Sequence, residues 1–184
     1  SSTGYQWYSV KHRVLLVTLF VALFLSYPLG VIIGFFCGAN EFRTTELNEN
    51  VQSHNPLFDL QPRERFLFIF KNNMMVSFKC MLLGTFSFGI CSLIYIFYNG
   101  FVLGYIIGEY ANVLPANIII RTTLPHSFEF LGIIIYGYVG FVLSGCLFTK
   151  RMIYNKFNLL FFIFFASMIL LIAAIIESYV SIPE

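Results

Sequence analysis

His126 and Glu129 lie three residues apart, directly after Pro125 and at the head of a long apolar run. If a helix has begun there, their side chains stand roughly 60° apart on one face. An imidazole and a carboxylate one turn apart can share a proton, hold a metal ion or cap the helix start. A metal needs at least one further ligand group, and no other histidine falls in a membrane-length run, so no metal site is expected. A proton relay is open to an intramembrane His/Glu pair. So is a structural polar network, in which the positive helix end favours Glu129. Glu109 and Glu177 also interrupt apolar stretches. Cys37, Cys80, Cys91 and Cys146 lie in or beside apolar runs without a CxxC, and read as small buried hydrophobes. The chain shows no nucleophile with a paired base, no phosphate-binding glycine loop and no closely spaced carboxylate pair. The expectation is a protein that is not an enzyme and carries no cofactor.

The elements that must position these groups follow from composition. Of 184 residues, 58% are hydrophobic, 19% aromatic and only 11% charged. An ordinary soluble domain is about 45–50% apolar and about 25% charged. Twenty-three Phe and eleven Tyr exceed what one water-soluble core of this length can hold. The surplus needs lipid. A net charge of +2 without a basic stripe gives no reason to expect nucleic acid. The fold class is therefore all-α: a polytopic membrane helical bundle, one membrane domain over 1–184.

A membrane helix needs about 20 mainly apolar residues. Four runs qualify directly: 14–36 with Pro28 inside, 74–97 with Lys79 near its start, 128–148, and 159–180. The first is too long for a signal peptide core and reads as an uncleaved anchor. The stretch 101–121 begins apolar but meets Glu109, Asn112, Pro115 and Asn117. It is either a full span with a wet, broken end or a re-entrant half-helix. Charge decides between them: Lys11 and Arg13 precede the first run, and Lys150, Arg151 and Lys156 fill the loop 149–158. Both flanks read as cytoplasmic, which requires an even number of crossings between them. The stretch 101–121 then crosses, giving about five spans with the N-terminus inside, in the cell membrane. Between the first two spans, 38–73 is an extramembrane loop, polar and acidic over 39–56. Its last part, 62–73, is either an interfacial amphipathic helix or an extension of the second span.

Glycines recur every fourth residue at Gly30, Gly34 and Gly38, and again at Gly100, Gly104 and Gly108. Such spacing puts them on one helix face, where small residues let backbones approach closely. The faces serve packing within the chain or an interface with a second copy. Gly132 and Gly140 continue a stripe with Glu129 and Tyr136, turning that carboxylate toward a neighbouring helix.

Taken in order, Asn72-Asn73, Gly84, Gly89, Asn99-Gly100 with Gly104, Leu124-Pro125-His126 with Glu129, Gly140 and Glu177 resemble the stage II sporulation protein M family of integral membrane proteins. The likeness runs from about residue 66 to 180. Ser127 stands where the family pattern has Gly, keeping the chain small but without easy access to positive φ. The resemblance implies a multi-helix protein with no catalytic activity of its own. It implies partners too: in spore formers the namesake sits in a membrane complex with peptidoglycan-degrading proteins and drives engulfment. Relatives elsewhere accompany ABC transporter subunits or bacteriocin export and immunity systems.

Two functional readings follow. One is a non-catalytic scaffold for other membrane subunits, either cell-wall hydrolases or ABC transporter components. The other is a permease-like subunit passing a peptide, lipid or ion along His126, Glu129 and Glu109. For the site itself, the span order places Asn72, Asn73, His126, Glu129 and Glu177 at the outer leaflet as one polar cluster, with Asn99 and Gly100 at the opposite, inner turn.

Overall fold

The computed structural model describes residues 2–44, 60–111, 115–149 and 155–179. Five helices account for nearly all of them: α1 (Ser2–Thr44), α2 (Pro62–Phe86), α3 (Ile90–Tyr110), α4 (Ala116–Thr149) and α5 (Lys156–Tyr179). Each contains a stretch long and apolar enough to cross a membrane. The chain is an all-α, multi-pass bundle.

Two boundaries depart from the sequence reading, and both trace to one turn. The apolar run 74–97 is not a single span: α2 stops at Phe86 and α3 starts at Ile90. Phe88 and Gly89 take left-handed backbone, φ 53° and 82°. The Gly89 amide donates to Gly84 O at 2.9 Å, closing the end of α2, and Ser87 Oγ accepts from the Cys91 amide at 2.9 Å, opening α3. Asn99 and Gly100, expected at the inner turn, therefore lie in the middle of α3, where Asn99 Nδ2 donates to Tyr95 O at 2.7 Å. Nor is 101–121 one broken segment: its first part completes α3 and its last part begins α4. Hydropathy missed the turn because Phe and Ser-Phe-Gly keep the window apolar across it. The count of five survives because the split at 87–89 replaces the expected split near Asn99.

The second span lies earlier than its hydropathy suggested, and α2 is the least apolar of the five. Pro62 starts it, its fixed φ suiting a first helical turn. Residues 62–73 thus form the first half of α2, the second of the two alternatives. Arg65, Asn73, Ser77, Cys80 and Gly84 form one buried stripe, so the polar members face protein, not lipid. The loop expected over 38–73 is helical at both ends; its centre, 45–59, lies outside the described residues.

Helix α4 is central. Its span is 56% buried inside the protein, against 17–28% for the others. Contacts around the glycines fix directions. Gly30, Gly34 and Gly38 meet residues 97–109 in rising order, so α1 and α3 run parallel. Gly137 meets Cys80 and Gly140 meets Met81, while Asn73 reaches Glu129, so α2 and α4 are also parallel. Gly132 packs against Leu170, and Tyr138 against Phe162 with ring centroids 6.2 Å apart, making α5 antiparallel to α4. The start of α2, the span of α4 from His126 and the end of α5 consequently share one end of the bundle. Leu23, Ile96, Val139, Val142 and Leu170 form the fully buried centre.

Candidate functional site

The site is assembled from three helices at that shared end. Asn73 of α2 is buried, and its Nδ2 donates to Glu129 Oε1 of α4. The other carboxylate oxygen, Oε2, lies 3.2 Å from Nδ1 of His126, one turn earlier on α4. His126 Nε2 faces Glu177 Oε1 of α5 at 3.5 Å. The imidazole bridges two carboxylates, each of its nitrogens toward one of them. The Glu129 and Glu177 side chains are only 7% and 14% exposed, whereas His126 is 40% exposed and forms the rim. Glu177 Oε2 is buried and has no hydrogen-bond partner among the described residues.

Local sequence explains this convergence. The four-residue steps Arg65, Ile69, Asn73 and Ser77 keep one face of α2 turned inward. Helix α4 is continuous through Pro125, and Ser127 is helical, so the substitution of Ser for Gly requires no positive φ. Behind the cluster, Phe130 stacks on Tyr27 of α1 with centroids 3.7 Å apart. Below it, Tyr136 OH and Ser167 Oγ lie 2.9 Å apart, binding α4 to α5.

Asn73, His126, Glu129 and Glu177 come together. Asn72 does not: it is exposed, because a step of one residue turns it about 100° from Asn73 around the helix. Glu109 is exposed near the end of α3, its backbone against Gly38 of α1. Arg65, within the stretch 62–73, carries no functional expectation from the sequence. It is buried, with Nη1 donating to Ser178 O at 3.4 Å and Nη2 to Leu60 O at 3.0 Å. A cation on the last carbonyls of α5 complements that helix terminus. Its spacing of two turns before Asn73 was the available signal.

The glycines serve the scaffold behind the site. A Cβ at Gly30, Gly34 or Gly38 would fall inside the carbonyl oxygens of Phe97, Phe101 or Tyr105. The reverse holds for Gly100, Gly104 and Gly108 against those of Tyr27, Val31 and Phe35. The two triplets interlock with each other, which takes up both faces within one chain. Gly132 admits Leu170 and the Ala166 carbonyl, and Gly140 admits the Met81 carbonyl.

Chemically, the cluster can hold a proton between imidazole and carboxylate, tie three helices together, or ligate a cation. One donor atom each from His126, Glu129 and Glu177 lies within 4.8 Å of the others.

A family model described as Stage II sporulation protein M matches residues 15–182. Comparison with the curated proteins and with the solved structures gives no match.

Proposed function

Because the chain belongs to the stage II sporulation protein M family, with a match over 15–182, we propose that it is a non-catalytic subunit organising a multiprotein complex in the cell membrane. The partners are other membrane-associated subunits, either cell-wall hydrolases or ABC transporter components. The observation that carries this reading is the inward use of polarity. Asn73, Glu129, His126 and Glu177 engage one another across three helices, where a conducting subunit would direct them at a continuous wet path. The glycine faces of α1 and α3 support it as well, since they close on each other and leave a rigid platform. Large apolar side chains remain outward, Phe157, Phe161, Phe164 and Phe165 of α5 among them, for lipid or partner helices. Basic flanks at 11–13 and 150–156 support an orientation with the N-terminus in the cytoplasm and the end of α5 outside. Single cysteines at Asn50 and Asn155 label from opposite sides on this orientation.

Reconstitution separates the scaffold from a permease. Proteoliposomes holding this chain alone are expected to show no proton or ion flux, and a tagged partner is expected to lose its complex when the chain is removed. Flux through the chain alone that Glu129→Gln abolishes would overturn the scaffold reading.

A further inference from the structure

We propose that His126, Glu129 and Glu177 form a binding site for a divalent first-row transition-metal cation of the zinc type, joining α4 to α5 at one end of the bundle. This goes beyond the scaffold reading and stands independently of it.

The donor set comes first. One imidazole and two carboxylates suit zinc and its neighbours; magnesium and calcium prefer oxygen alone. The third ligand group, which sequence spacing did not supply, comes from α5. Size comes second. Metal bonds of about 2.0–2.2 Å put tetrahedral donor atoms about 3.4 Å apart. Here the two carboxylates approach different imidazole nitrogens, Nδ1 at 3.2 Å and Nε2 at 3.5 Å, and one donor atom from each of the three residues lies within 4.8 Å of the others. Closing on an ion requires shifts of about 1 Å, with one imidazole nitrogen turned to the metal.

Charge is the third consideration. Two carboxylates held this close at the end of a membrane bundle repel each other unless a proton or a cation intervenes. A protonated His126 leaves the group at −1. A divalent cation with neutral imidazole brings it to zero. The fourth observation is the buried Oε2 of Glu177, which has no hydrogen-bond partner among the described residues. A buried carboxylate oxygen with spare acceptor capacity is able to take a further ligand. Lastly, Asn73 donates to Glu129 Oε1 and so leaves Oε2 facing His126. Such outer hydrogen bonds orient the ligands of protein metal sites. Partial exposure of His126 gives an ion its route in.

The test uses the full-length, tag-free protein in detergent, stripped with EDTA and titrated with zinc alone. About one zinc per chain is expected to remain after desalting. The thermal unfolding midpoint should rise by about 5 °C or more at a hundredfold excess over Kd. Magnesium should leave it unmoved. Cobalt in place of zinc should give visible absorption of a low-symmetry, four- or five-coordinate site. Glu177→Gln keeps the shape of the side chain and should remove both the retained zinc and the midpoint shift. Folded wild-type protein that retains no zinc and shows no shift overturns the proposal. So does a folded Glu177→Gln variant that binds zinc as the wild type does. The wild-type measurement decides by itself if the variant does not fold.

Discussion

Along the α1/α3 seam, six glycines bring two parallel helices so close that backbone carbonyls occupy the space of the missing Cβ atoms. At the end of α2, α4 and α5, an amide, an imidazole and two carboxylates are drawn together across three helices. The first region is joined by backbone approach at glycines, the second by contacts between polar side chains. Both answer the same difficulty: lipid tails are as apolar as leucine, so burial of apolar surface does not drive helices together. The seam relies on dispersion and weak Cα–H···O contacts, each worth about 0.5–1 kcal/mol. The cluster relies on the penalty for leaving a polar group unpaired. The difference has a consequence for specificity. Dry packing tolerates any residue small enough, whereas the cluster demands particular donors and acceptors, which is why chemistry resides there.

The two regions should break differently. Gly104→Leu forces a branched side chain into the Val31 backbone. The expected result is the largest loss, about 3 kcal/mol or more, seen as a failure to elute as folded protein in detergent. In metal-free buffer, Glu129→Ala strands Asn73 and His126 and should cost about 2 kcal/mol by denaturant unfolding, while Glu129→Gln retains an acceptor for Asn73 and should cost less than half of that. Equal losses would mean that the charge, not the hydrogen bond, holds the cluster. Gly89→Ala places a Cβ at φ 82° and 3.1 Å from Phe141 Cδ2, so a drop of about 1–2 kcal/mol is expected in the same assay. Asn99→Ala loses only a bond to its own helix and should cost below about 1 kcal/mol. A larger effect there would restore residues 99–100 to a structural turn.

Much of this contrast was legible beforehand. Four-residue glycine spacing marks the seam without any structure, because a helix repeats near that period. What spacing alone leaves open is the partner of each face, and here each triplet is the other's. His126 and Glu129 could be paired from their separation along α4, and Glu177 joined them through the order of spans. Asn73 against Asn72 needed the phase of α2, which is set by the face Arg65, Ile69 and Ser77 turn inward. Arg65 was hidden because a buried arginine carries the same hydropathy as an exposed one. The turn at 87–89 was hidden for the opposite reason. Phe88 and Gly89 reverse the chain through backbone angles, and hydropathy does not register φ.

The claim that the cluster is a mutually bonded unit, distinct in kind from the seam, is tested most directly by a double-mutant cycle on Asn73 and Glu129 in denaturant unfolding of the detergent-solubilised protein. The account predicts a favourable coupling of about 1 kcal/mol between Asn73→Ala and Glu129→Ala, and additive losses when Glu129→Ala is combined with Gly104→Ala. Additive losses for Asn73 and Glu129 themselves would contradict it.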